Sequence, residues 1–392
     1  MNKKENVNFL SPSKKQIDNL LEHYQNGRLS EAEKLAVSIT QEFPQHQFSW
    51  KILGAVLVQI GRISESLNAM QKAVQLSPQD AEAHNNLAII FKKLGELEKA
   101  EVSYRKTIEL NPDFAEAHYN LGNILKELGR LAKAAESYRQ AIALNPEFVL
   151  AYSNLCMVLY KMGHKDLAME SIEKANHINP HLRDVRLLLS VIKSRKFREE
   201  SESMIGDMNK VNVFKGLTPN PFILNRTVEA ELIRYIRGMN SRLLDETKDA
   251  RYGIGRCSLD FDLFDDSGSI IRKIEEDLKR IMMEAVKSDI YIYDSFFNIL
   301  GKGGGSTPHK HLKEIDGDTG FNLDKQKYSL VYYLSVGDQT CSEPGILKLY
   351  DPVENILPHE GMIVIIPATR EHSAIYNGKT DRIMIGVNFY SI

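Results

Sequence analysis

"AEAHNNLAIIFKKLGELEKAEVSYRKTIELNPDF" (81–114) is followed directly by "AEAHYNLGNILKELGRLAKAAESYRQAIALNPEF" (115–148), and the two stretches align position for position. The period extends outward from them. Glycines stand at 27, 61, 95, 129 and 163, and prolines at 44, 78, 112, 146 and 180, both at a constant step of 34. Such a period marks stacked helical units, each unable to bury its apolar face alone. A mid-repeat glycine ends the first helix, where a left-handed backbone is inexpensive for a residue without Cβ. A proline stops the second helix. Small residues at Gly54, Ala100, Gly122, Ala134 and Ala168 let paired helices approach closely.

The pattern resembles the tetratricopeptide repeat, carried by Trp50, Leu53, Gly54 and Leu57 in one copy and by Leu121, Gly122, Ala134, Tyr138 and Ala141 in another. Five repeats are expected over 13–182, after a flexible tail at 1–12. The first is degenerate, with Asn19 and His23 at usually apolar positions. A closing helix over 183–197 and a charged linker over 198–212 follow. The resemblance implies a concave groove that binds a peptide or protein. Asn86, Asn120 and Asn154 recur at the sixth position of three consecutive repeats, resembling the asparagine ladder of O-GlcNAc transferase. A carboxamide both donates and accepts, so it can hold a peptide backbone without reading side chains. The plainer reading is a consensus asparagine left in solvent. His84, His118 and His177 read as groove or packing residues of the repeat helices.

Composition sets wide bounds. The 392 residues are 43% hydrophobic and 26% charged, with net charge −2, which gives no bulk electrostatic argument for nucleic acid or an anionic membrane. No run reaches membrane-spanning length and the N-terminal stretch has no signal-like apolar core. Cys156, Cys257 and Cys341 are widely spaced and odd in number, so a reducing cytoplasm is the expected location.

Beyond 197 the helical period fails. Helical spacing returns at 225–244 and 267–286. From 289 the chain turns to short β-rich runs: "IYIYDSFFNIL", "YSLVYYLS", "GILKLYDP", "GMIVIIP", "HSAIYNG" and "RIMIGVNFY". Separated by glycine, proline and Asx turns, they predict an antiparallel sandwich or barrel, best a double-stranded β-helix (jelly roll) over 213–392, with the helices covering one outer face. The fold class expected is therefore multidomain, a helical repeat solenoid followed by a jelly roll.

"STPHKHLKEI" (306–315) places His309 and His311 one residue apart, on one face of any extended strand. His372 and Arg382 lie far downstream. In order, His309, His311, Tyr332–Tyr333–Leu334, Gly345, Asp351–Pro352, Pro358, Gly361, Pro367, His372, Arg382 and Asn388 resemble the iron(II)- and 2-oxoglutarate-dependent dioxygenases, closest to a bacterial and phage group. That resemblance implies an oxidoreductase that uses O2, with His309, His311 and His372 on Fe(II) and Arg382 clamping the far carboxylate of 2-oxoglutarate. It makes Tyr332 and Asn388 further candidate contacts to co-substrate or substrate. The sequence departs from the group in two respects: the position of the usual carboxylate ligand is His311, and the position of the serine or threonine often found two residues after the arginine is Met384. Glu314 or Asp316 could supply a carboxylate instead, at the expense of the strand spacing. On strand alternation, Ile383, Ile385, Val387 and Phe389 form an apolar back, and Arg382, Met384, Gly386 and Asn388 face inward. The bland alternatives are a polar loop for the paired histidines, a core histidine at 372 and a surface ion pair for Arg382. A cupin-type enzyme without 2-oxoglutarate, using Glu314, and a non-catalytic repeat scaffold are the other functional classes. "DGDTG" (316–320) reads as a turn, and the glycine run 301–305 as a flexible lip of the site.

Overall fold

A computed structural model describes residues 11–205, 220–244, 253–318 and 320–392. Residues 1–10 of the expected tail (1–12) and 206–212 of the expected linker lie outside these residues. The chain divides into two compact units, at Asn179 and Pro180.

The first unit is all-helical. Ten helices form five successive pairs: α1 (Lys14–Gln25) with α2 (Leu29–Glu42), α3 (Gln47–Gln59) with α4 (Ile63–Leu76), α5 (Ala81–Lys93) with α6 (Leu97–Leu110), α7 (Ala115–Glu127) with α8 (Leu131–Leu144), and α9 (Val149–Lys161) with α10 (Lys165–Ile178). The glycine that follows each first helix has positive φ, as at Gly95 (+76°). There Gly95 N donates to Lys92 O and Glu96 N to Phe91 O, closing the helix end with two otherwise orphaned carbonyls. Within a pair the small positions set the distance. A Cβ at Gly122 would lie 2.6 Å from the Tyr138 ring, and one at Gly54 2.8 Å from the end of Met70.

The repeat histidines have a local task. His84 Nε2 lies 3.1 Å from Pro78 O and His118 Nε2 3.0 Å from Pro112 O. Trp50 Nε1 donates to Pro44 O at the corresponding place. In these three repeats a ring nitrogen six residues on thus meets the proline carbonyl that precedes the first helix.

The second unit begins with α11 (Arg183–Ile205). It continues past the closing helix expected at 183–197. Asp184 accepts from Tyr293 Oη, Arg183 pairs with Asp262, and Arg195 donates to Phe321 O. The segment read as one helix over 225–244 is shorter and flanked by strands. β1 (Phe222–Asn225) precedes α12 (Ala230–Gly238), and β2 (Ser241–Leu243) and β3 (Gly253–Ser258) follow it. After α13 (Ser269–Val286) come β4 (Ile290–His309), β5 (Lys327–Ser335), β6 (Leu347–Leu349), β7 (Glu354–Ile356), β8 (Met362–Pro367), β9 (His372–Tyr376) and β10 (Arg382–Ser391).

These strands form one curled antiparallel sheet in the order β1-β8-β5-β10-β4-β9-β6-β7, with β3 also on β4 and β2 on β3. Strand β4 is the link between its halves. Residues 290–300 pair with β10, and 304–309 pair with β9. The glycine run is therefore the bend within a strand, not a lip. At Gly305 a Cβ would come 2.1 Å from Ala374 O, so only glycine permits the approach.

The two faces of the sheet differ in role. Ile383, Ile385, Val387 and Phe389 join Leu330, Tyr332, Ile363 and Ile365 beneath Ile271, Ile274, Leu278 and Met282 of α13. Each such side chain, fully buried, contributes about 1.5–3 kcal/mol. On the other face Tyr333, Met362, Val364 and Ile366 pack against Leu347, Leu349 and Ile356 of β6 and β7. The interior between those halves holds the candidate site.

Candidate metal centre and anion pocket

His372 opens β9 and is paired in register with His309 at the end of β4. His311 follows two residues later, its backbone N–H donating to Ala368 O. One ring nitrogen from each of the three lies within 4.8 Å of the others. His311 Nε2 and His372 Nε2 stand 3.2 Å apart. Two imidazole nitrogens bound about 2.1 Å from one ion, at right angles around it, are separated by about 3 Å. The rings are thus spaced for a shared cation.

Backbone carbonyls orient two of them. His309 Nδ1 lies 2.8 Å from Thr307 O, and His372 Nδ1 lies 3.2 Å from Arg370 O. Each contact favours a proton on Nδ1 and leaves the Nε2 lone pair for a ligand bond. Burial, reinforced by His309, pushes the His372 pKa down to about 4, so this imidazole is neutral and ligand-competent near pH 7. The donor set fits a divalent transition metal that accepts imidazole, iron(II) among them.

The His372 shift has a signed consequence. Unfolded, this group has the ordinary value of 6.5. Between about 6.5 and 4 the unfolded chain binds the proton and the folded chain refuses it, so this contribution to stability falls as pH falls through that window. In metal-free protein the ring should stay neutral at pH 5.5 and protonate near 4, read from its ring nitrogen shifts by NMR. Half-protonation near 6.5 would contradict the burial argument.

Arg382 starts β10 and is 1% exposed. Its Nη1 donates to Gly345 O at 2.6 Å. The Tyr333 ring lies 4.8 Å from the guanidinium carbon and the Tyr376 ring 5.9 Å. Nε and Nη2 are buried with no hydrogen-bond partner among the described residues, and burial pushes the pKa below its ordinary value. A buried guanidinium without an anion is costly, and its open N–H edge matches a carboxylate. The same cavity is lined by His309, His311, His372 and Arg382, with Phe296, Val331, Leu347 and Met384 as apolar wall.

Gly345 is where the loop touches this arginine. Its φ is +79°, and a Cβ would sit 1.4 Å from Arg382 Nη1. Gly345→Ala should displace the guanidinium and weaken binding of a dicarboxylate by about tenfold or more, the value of a charge-assisted hydrogen bond. Isothermal titration with 2-oxoglutarate, using bound metal as control, would check it.

Other candidates sit elsewhere. Tyr332 faces the α13 side, and its Oη donates to Thr227 O (3.1 Å) and accepts from Arg226 Nη1 (3.0 Å). Strand alternation gives the cavity to its neighbour Tyr333 instead. Asp316 is no ligand: its carboxylate accepts from Lys327 Nζ (2.8 Å), Tyr390 Oη (2.6 Å) and Lys313 N (2.7 Å). The Glu314 side chain lies outside the described residues. Asn388 lies on the inner face and donates to Asp294. In the repeats, Asn86 and Asn120 are half-buried on α5 and α7. Asn154 Nδ2 is engaged between repeats, donating to Asn123 Oδ1 (2.8 Å) and Tyr119 Oη (3.1 Å).

A family model described as the TPR repeat matches residues 54–95, 90–129 and 122–163. Residues 54–163 are tetratricopeptide repeats. Among solved structures the chain is similar to MamA, at 24% identity over 42% of this chain and 90% of that one, with a TM-score of 0.40. A second MamA structure is 21% identical over 43% and 98%, with a TM-score of 0.38. YrrB, described as a TPR protein with an unusual peptide-binding site, is 19% identical over 43% and 88%, with a TM-score of 0.38. No curated protein matches the chain. No helix among the described residues is long and apolar enough to cross a membrane.

Proposed function

We propose that the second unit is an iron(II)- and 2-oxoglutarate-dependent dioxygenase, and that the tetratricopeptide repeats bind a peptide or protein substrate or partner. The observation that carries the first part is one cavity holding both three convergent imidazoles and a buried arginine with two orphaned nitrogens. The strand order supports a jelly-roll reading: β4, β10, β5 and β8 form one four-strand run, and the end of β4 with β9, β6 and β7 forms the other. A metal with imidazole ligands alone would leave Arg382 without purpose, which favours this reading over a cupin-type enzyme.

The bound iron would supply the oxidation, in which O2 gives one oxygen to succinate, with loss of CO2 from 2-oxoglutarate, and the other to a C–H bond of the substrate. The chain's own residues supply the rest. His309, His311 and His372 would hold the ion through neutral nitrogens, keeping their protons on the far side of two of the rings. Arg382 would clamp the distal carboxylate, with Gly345 O and the Tyr333 and Tyr376 rings fixing its plane. The apolar wall excludes water. With no carboxylate among the three ligands, the centre is one charge more positive than usual, and the dianionic co-substrate offsets that.

Anaerobic titration of iron(II), with and without 2-oxoglutarate, tests the reading through the visible charge-transfer band of the chelate. Tight metal binding with no band would remove 2-oxoglutarate from the proposal, and absence of metal binding would leave the scaffold.

On the repeat side, replacing Asn86, Asn120 and Asn154 together by Ala removes backbone hydrogen bonds worth roughly 0.5–1.5 kcal/mol each. KM for a protein substrate should rise with kcat little changed. Because Asn154 also links repeats, circular dichroism melting must accompany the kinetics. An unchanged KM would make these asparagines structural.

A further inference from the structure

Past Gly386 the inner face of β10 continues to Asn388, in register with Asp294 on β4 and Ser329 on β5. Phe296, Gly386 and Ser329 line the histidine cavity. Asn388 and Asp294 therefore sit one strand step further along that face, at the end away from Arg382. Asn388 Nδ2 donates to Asp294 Oδ1 at 2.6 Å. This fixes the amide, because turned over its oxygen would face a carboxylate. Asn388 Oδ1 then points elsewhere, buried and without a donor among the described residues. Asn388 as a whole is 7% exposed. Buried acceptors are nearly always satisfied, so an unpaired one beside a cavity marks a place where a donor arrives.

A second group meets the same carboxylate. Lys313, two residues beyond His311, places Nζ 3.6 Å from Asp294 Oδ2, with its side chain 45% exposed. It also lies 4.0 Å over the Tyr293 ring. The ammonium has three N–H donors, and these contacts do not use them all. Asp294 thus meets the Asn388 amide on one oxygen and the Lys313 ammonium on the other. The charges of Asp294 and Lys313 offset each other, which favours a neutral ligand with both a donor and an acceptor over an ion.

We propose that Asn388 and Lys313, positioned by Asp294, form an amide-binding subsite beside the histidines, taking a secondary amide such as a peptide unit. The amide N–H donates to Asn388 Oδ1, and its carbonyl accepts from Lys313 Nζ. That this subsite presents substrate rests on the dioxygenase reading, but amide binding itself needs neither metal nor 2-oxoglutarate.

Full-length, metal-free protein carrying 15N-asparagine is titrated with N-methylacetamide, N,N-dimethylacetamide and methylammonium, following the Asn388 side-chain NH2 signal assigned by its loss in Asn388→Leu. N-methylacetamide should shift it saturably, with the dimethyl compound, which lacks the donor, about tenfold weaker. Lys313→Met, an exposed change compatible with folding, should weaken N-methylacetamide several-fold. Equal response to both amides, a preference for methylammonium, or no response at all would overturn the proposal, the last leaving an ordered water as the partner of Oδ1. Failure here leaves iron and 2-oxoglutarate binding untouched, whereas amide binding without co-substrate binding would sink only the dioxygenase reading.

Discussion

His309→Ala and His372→Ala each abolish stoichiometric iron(II) binding while the fold persists: this is the expected result of calorimetric titration on the two variants. The three ring nitrogens lie within 4.8 Å of one another, and no other His, Cys, Asp or Glu among the described residues joins them. Among the described residues the site has no spare ligand. Losing even an outer-shell partner of a metal ligand costs about 10–100-fold in affinity, so loss of a ligand itself should exceed that. His309 is the cleaner test because it is half-buried, whereas His372 is 5% exposed and its truncation leaves a cavity. His372→Gln keeps volume and serves as the folding control. His311→Asp differs in sign: it replaces a neutral ligand by a carboxylate, so iron should still bind and the centre should carry one positive charge less. Tight binding retained in both alanine variants would remove the histidines from the metal.

The repeats were legible because their signal is redundant. Glycine, proline and small residues recur in step, and each has one cheap conformation. The strands from 290 onward were legible from alternation, including the inward set Arg382, Met384 and Gly386. What failed depended on pairing that alternation cannot settle. Of the adjacent Tyr332 and Tyr333 one must face inward, but which one is set by the register of β5 on β10, shifted between Ile383 and Met384. The glycines at 301–305 read as a loop because a strand that must bend sharply from one partner to another needs residues of low strand propensity. Asp316 looked available because sequence does not reveal Lys327 and Tyr390 closing on it. The short strands β1 to β3 carry too few residues for a period.

Arg382→Ala should leave iron bound and raise the 2-oxoglutarate concentration needed for turnover steeply. Truncating one partner of a buried charge pair costs on the order of 2–5 kcal/mol, which is roughly 30-fold to several thousand-fold in apparent affinity. The arginine is held on one nitrogen by Gly345 O and leaves Nε and Nη2 open, so the loss falls on the carboxylate clamp and not on the fold's own hydrogen bonds. Lys348, a cation on the nearby strand β6, pairs with Ser373 on β9 and is exposed, while its neighbour Leu347 lines the cavity. It is therefore badly placed to substitute. Arg382→Lys separates charge from geometry: a point charge on a flexible stem restores attraction but not the two-pronged contact. Partial recovery by lysine would assign the role to a bidentate clamp, and full recovery to charge alone. Succinate formation at low 2-oxoglutarate that is unchanged in Arg382→Ala would remove the co-substrate from this pocket, and the orphaned guanidinium would then await a different anion.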